Sequence, residues 1–156
     1  MPQSMLIING PGLDDLEGPF GSDGEPLTLD SIKTACEQRC ADLGLDLEFR
    51  QTDDYQLLLE WLSEDGGDYA GLIFNPFNLQ GADSHTESFY QSAMQRIAQL
   101  KKPAIEVRLT NIYARDAEIS RPVHKPQCDM GFVCGFGSHG YLLAITALSQ
   151  RIATGS

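Results

Sequence analysis

The sequence predicts an α/β protein built as a three-layer sandwich, a five-stranded parallel sheet with helices on both faces. Three observations carry this. Five short apolar runs alternate along the chain with segments of helical periodicity. Some of the runs, "GLIF" above all, are too continuously apolar for a strand with one wet face. A chain of 156 residues, 42% hydrophobic and 21% charged, is also large enough for one core, so residues 1–156 are expected to form a single domain.

Met5 to Ile8 is an apolar run closed by Asn-Gly-Pro, which predicts a buried first strand ended by a turn. A long loop follows, "NGPGLDDLEGPFGSDGEPLTL", rich in glycine, proline and acids and without lysine, arginine, histidine, cysteine or tyrosine. Leu29, Ile32, Cys36 and Cys40 then repeat at helical spacing, with Thr28 or Asp30 as the cap and Gly44 as terminator. "LDLEFR", residues 45–50, alternates like a half-covered edge strand, and "YQLLLEWLSEDGG" reads as a helix ending at Gly66-Gly67. "YAGLIFNP" is the third strand, and residues 84–100 are helical through Phe89, Ala93, Ile97 and Leu100. Pro103 opens a strand through "AIEVRL"; "MGFVCGFG" and "GYLLAITALSQRIA" complete the chain as strand and helix. No internal repeat or linker interrupts this order.

Parallel sheets of this kind hold ligands beyond the carboxyl ends of their strands. The segments that bear on function are therefore 9–27, 50–55, 75–84, 108–125 and 135–140. A formal charge of −11 argues against nucleic acid and anionic membrane surfaces as partners, while a few local arginines can still hold a small anion. The first residues lack a basic and apolar leader, no run approaches the length of a spanning helix, and a cytoplasmic protein is the expectation. Cys36, Cys40, Cys128 and Cys134 show no C-x-x-C pair and are expected to be reduced and buried. Their spacing with the histidines matches no zinc pattern, so no metal site is expected.

Several residues at that edge are candidates. Gly10 and Gly12 follow a strand, but the spacing is not G-x-G-x-x-G, Pro11 removes an amide donor, and three nearby acids repel phosphate. "GFGSHGYLLA" places glycines before a helix, where close packing explains them better than phosphate binding. His85 stands at the start of the third helix, with His124 and His139 in later loops of the same edge. Arg108 interrupts an apolar strand, so it either pairs with a carboxylate such as Glu106 or points into a pocket. Asn75 and Thr110-Asn111 end neighbouring strands and outline a small polar pocket, or serve only as strand-ending hydrogen-bonders.

"IINGPGLDDL", "ADLGLDLEFRQTD", "LEWL", "GLIFNP", "SHT", "PAIEVRLTNIYAR" and "GFVCGFGSHGYLLA" occur in an order and spacing that resembles the type II 3-dehydroquinate dehydratases, from about Leu6 to Ala147. The resemblance implies a flavodoxin-like fold, trimers gathered into a dodecamer, and a lid loop over about residues 10–27. It implies a reaction as well: removal of water from 3-dehydroquinate through an enolate, giving 3-dehydroshikimate without metal or cofactor. In that family a lid tyrosine, activated by an arginine, takes a proton, and a histidine on the fourth strand protonates the departing hydroxyl.

Residues 9–29 match the family's lid in length, yet its functional asparagine, arginine and tyrosine positions hold Gly12, Pro19 and Gly24. On the fourth strand the family's E-V-H-[LI]-S-N becomes Glu106-Val107-Arg108-Leu109-Thr110-Asn111. Arginine does not give up a proton at ordinary pH, though it binds carboxylates and stabilises oxyanions. The residues that match are mainly ligand-holding ones: Asn75, His85, Leu109 and Thr110 through their amides, Arg115, and more loosely Arg121. The family's acid after T-H-T is Ser92 here. The expectation is a homologue that binds a small anionic cyclic carboxylate, with the dehydration lost or replaced by a step using Arg108 and His85. Two alternatives stay open: a working dehydratase with substitute lid acids such as Asp23 or Glu25, and a non-catalytic assembly subunit.

Overall fold

The computed structural model describes residues 3–13, 28–76, 84–109 and 130–154. Five strands, β1 (Ser4–Asn9), β2 (Asp46–Gln51), β3 (Gly71–Asn75), β4 (Ala104–Arg108) and β5 (Gly131–Cys134), form one sheet in the order β2-β1-β3-β4-β5. Every pairing is parallel, with Ile7 opposite both Phe49 and Ile73, and Ile73 opposite Ile105. The chain thus forms the flavodoxin-like α/β arrangement expected of it.

Alternation along the strands divides the core. Met5, Ile7, Ile73, Ile105 and Val107 pack against α1 (Leu29–Asp42) and α4 (His139–Thr154). Leu6, Ile8, Leu72, Phe74 and Ala104 pack against α2 (Tyr55–Glu60) and α3 (Ser84–Leu100) on the other face. Burying an apolar side chain of this size contributes about 1.5–3 kcal/mol, so the two layers hold the strand ends in fixed register.

Local signals explain most boundaries. Thr28, and not Asp30, caps α1: its hydroxyl accepts from the Ser31 amide while the Ser31 hydroxyl accepts from the Thr28 amide, each at 3.1 Å. Gly44 ends that helix with φ 72°. Asp54 caps α2 by accepting from the amides of Gln56 and Leu57. One expectation fails in detail. The helix over 55–67 does not keep its pitch: a π turn over Trp61–Asp65 and a 3₁₀ turn over Gly66–Asp68 follow six α-helical residues. Arg50, on β2, contacts this irregular stretch, 2.6 Å from Asp65 and with its guanidinium 5.3 Å from the Trp61 ring centre, a tertiary contact that periodicity does not reveal.

Lys101 ends α3 with φ 54°, a left-handed conformation that costs a non-glycine residue about 1–2 kcal/mol. Lys101→Gly is expected to raise stability by about 0.5–1 kcal/mol, less than the relieved strain because glycine also gains freedom in the unfolded chain; urea denaturation measures it. Cys36 and Cys40 are buried, and burial pushes their thiols up to about 12 and about 11, Cys36 being raised further by Cys40. Cys134 departs from the expectation because edge strand β5 leaves it half-buried; Cys128 lies outside the described residues.

Candidate functional site

Asn9, Gln51, Asn75, Arg108 and Cys134 end the five strands on one edge of the sheet. Because β1 and β3 are adjacent and in register, Asn9 lies opposite Asn75. Both are fully buried, on the face that meets α4. The Tyr141 hydroxyl stands between them, donating to Asn9 Oδ1 at 2.6 Å and accepting from Asn75 Nδ2 at 2.7 Å. Asn9 Nδ2 donates in turn to the Arg50 carbonyl at 2.9 Å. Burial holds the Tyr141 phenol above the ordinary tyrosine range, so it works here as a neutral hydroxyl that fixes two amides.

A second polar group occupies the opposite face. Glu106 and Arg108 are two residues apart on β4 and therefore share a side. Glu106 is fully buried, and Arg108 is 6% exposed. Arg108 Nε donates to Glu106 Oε2 at 2.7 Å, and the Tyr90 hydroxyl, from α3, donates to Glu106 Oε1 at 2.6 Å. The guanidinium carbon lies 5.7 Å from the Tyr90 ring centre. Burial first, then the Glu106 carboxylate, keep the Tyr90 phenol above its usual range, so Tyr90 donates to Glu106 and does not ionise. Of the two expectations for Arg108, the pairing with Glu106 is thus met. The result is a buried ion pair that fixes the guanidinium at the sheet edge.

The base of the glycine-rich loop is anchored to its neighbours. The Gly10 amide donates to the Asn75 carbonyl at 2.8 Å, and a Cβ on Gly10 would clash with the Pro76 carbonyl oxygen, a contact only glycine avoids. The Gly12 amide donates to Asp53 Oδ1 at 3.0 Å, and Gln51 Nε2 donates to the same oxygen at 2.9 Å.

The other expected site residues divide as follows. Leu109 follows β4 directly, packs into the α1 and α4 face, and accepts at its carbonyl from the Gly137 amide at 2.9 Å. His85 belongs to the first turn of α3. His139 begins α4 and does not lie in a loop, a correction to its expected place. Gly140 is buried against Val107 and Val133, as close packing requires. Pro19, Gly24, Thr110, Arg115, Arg121 and His124 lie outside the described residues. Sequence reasoning missed Tyr90 and Tyr141 as partners of the site. A signal existed for the second: Tyr141 shares an apolar helix face with Ala144, Ile145 and Leu148, and a buried tyrosine hydroxyl requires a partner. Among the described residues, no three His, Cys, Asp or Glu side chains come together as a metal-binding group, and no helix is long and apolar enough to cross a membrane.

Comparison with known proteins gives a consistent picture. The family model Dehydroquinase class II matches residues 3–149. The 3-dehydroquinate dehydratase of Chelativorans sp. is 36% identical over 156 residues, covering 97% of this chain and 100% of that one. That of Mesorhizobium japonicum is 37% identical over 154 residues, covering 96% and 99%. The crystal structure of the type II dehydroquinase from Propionibacterium acnes superposes with a TM-score of 0.78 at 28% identity, covering 96% of this chain and 98% of that one. A 3-dehydroquinate dehydratase-like protein from Bifidobacterium longum superposes with a TM-score of 0.65 at 25% identity, covering 97% and 98%.

Proposed function

The chain belongs to the class II dehydroquinase family, and from that premise we propose that it binds a small cyclic carboxylate while the family's dehydration is lost or altered. One observation carries this reading. Arg108 stands where the resemblance places the proton-donating histidine, and its Nε is committed to the buried Glu106 at 2.7 Å. A guanidinium in that place attracts an anion and gives no proton to a leaving hydroxyl.

The remaining roles follow from position. Asn75, His85, Leu109, Thr110, Arg115 and Arg121 hold the ligand, with the Leu109 and Thr110 amides on its carboxylate. Gly12, Pro19 and Gly24 leave the lid without the groups that would take the first proton. Arg108 and His85 are the residues around which any replacement step is built. The unit is one domain over residues 1–156, cytoplasmic, acting without cofactor and assembling as a trimer-based homo-oligomer, by resemblance a dodecamer.

Calorimetric titration with quinate and with shikimate tests this reading. Saturable binding of at least one acid is expected, weakened about 10-fold by Arg108→Lys, which keeps the charge but loses the planar fork. No binding of either acid points instead to the assembly subunit. A second reading, a working 3-dehydroquinate dehydratase that uses Asp23 or Glu25 as the base, is favoured by the 36–37% identity to curated dehydratases over nearly the full chain.

A further inference from the structure

Three of the eleven lysines and arginines in this acidic chain line a single groove: Lys101, Lys102 and Arg151. Ser4, Asp68 and Pro103 also line it, which places it at the amino ends of β1, β3 and β4, the sheet edge opposite Asn75 and Arg108. Its volume is about 530 Å³, ample for a small acid. We propose that this groove is a second binding site, for a small oxyanion bearing more than one negative charge: a phosphate or a di- or tricarboxylate.

The charge balance points this way. Among the described residues, the ion pairs belong to Arg50 and Arg108, and none engages Lys101, Lys102 or Arg151. Among the described residues, Asp68 is the one carboxylate lining the groove. The carboxyl ends of α3 and α4 also turn toward this edge, each equivalent to about half a negative charge. Together these leave about one positive charge unopposed among the described groups. Attraction to that residual charge grows with the charge of the ligand, so a multiply charged anion is held more strongly than a monoanion.

The backbone gives independent support. α1 ends at Gly44 with φ 72°, whereas α3 ends at Lys101 with φ 54°. A lysine occupies a conformation that favours glycine, at a position that lines the groove. Helix termination alone does not select that side chain. Two lysines and an arginine also suit the chemistry, point charges beside a planar fork for oxyanions.

The test is calorimetric titration of the full chain with inorganic phosphate and with citrate at constant ionic strength. Saturable binding of one or both is expected with a Kd of about 1 mM or tighter, weakened about 10-fold by Lys101→Gly and by Arg151→Ala. Because Lys101→Gly relieves backbone strain, its loss of binding is not loss of fold. Asp68→Asn is expected to tighten binding, and Arg108→Lys to leave it unchanged. Tighter binding of phosphate or of citrate identifies the preferred source of the charge. Absence of saturable binding by both up to about 10 mM overturns the proposal. So does binding that survives Lys101→Gly and Arg151→Ala together but falls with Arg108→Lys, which would move the anion to the opposite edge.

Discussion

Replacing Glu106 with glutamine is expected to destabilise the protein by about 3–5 kcal/mol, because it leaves the Arg108 charge buried without its counter-ion. Glu106 is fully buried, and both of its carboxylate oxygens accept hydrogen bonds, from Tyr90 at 2.6 Å and Arg108 at 2.7 Å. Arg108 is itself only 6% exposed, so water cannot take over the lost role. The denaturation midpoint should fall accordingly. Removing the whole group together, as Glu106→Leu, Arg108→Met and Tyr90→Phe, is expected to recover most of the loss, since a well-packed apolar cluster needs no counter-ion. If Glu106→Gln were as stable as the parent chain, the carboxylate would not be what holds the guanidinium.

The second large effect is expected from Tyr141→Phe. That change removes one oxygen and keeps the ring, yet it strands Asn9 Oδ1 and takes a partner from Asn75 Nδ2, both in a fully buried setting. A buried polar group left unsatisfied costs about 1–3 kcal/mol, so a loss of about 2–4 kcal/mol is predicted, measured by urea denaturation. A comparable change on the solvent side of the same helix, Thr146→Val, removes only a half-buried hydroxyl contact with Arg39 and the Leu142 carbonyl, and a smaller effect is expected. Equal effects would mean that the Asn9, Tyr141 and Asn75 group adds nothing specific to the carboxyl edge.

The fold was legible because its signals are local. Alternation in β2, the continuous apolar run of β3, and the Thr28 and Gly44 boundaries of α1 each arise from neighbours within a few residues. Arg108 and Glu106 were legible for the same reason, two residues apart on one face of a strand. The rest depended on tertiary proximity. Tyr90 reaches Glu106 across 16 residues, and Tyr141 reaches Asn9 across 132, distances over which periodicity carries no information. The π turn at Trp61–Asp65 and the left-handed Lys101 run against local propensity, which predicts a continuous α-helix and a glycine.

On the proposed reading the site divides into two parts. Under the proposed function, the buried amides of Asn9 and Asn75 and the strand ends around them form the part that positions a ligand. The positions where the resemblance places the family's functional asparagine, arginine, tyrosine and histidine read Gly12, Pro19, Gly24 and Arg108, none of which gives or takes a proton near neutral pH. A general acid or base contributes about 10²–10⁴-fold, so the loss of both predicts a deficit of about 10⁴-fold or more.

The most direct measurement is the steady-state rate at which the purified chain converts 3-dehydroquinate, set beside that of a curated relative such as the Chelativorans enzyme under the same conditions. A kcat lower by about 10⁴-fold or more is predicted. A kcat within about 10-fold of the relative's would contradict the account and require a competent acid and base elsewhere in the lid.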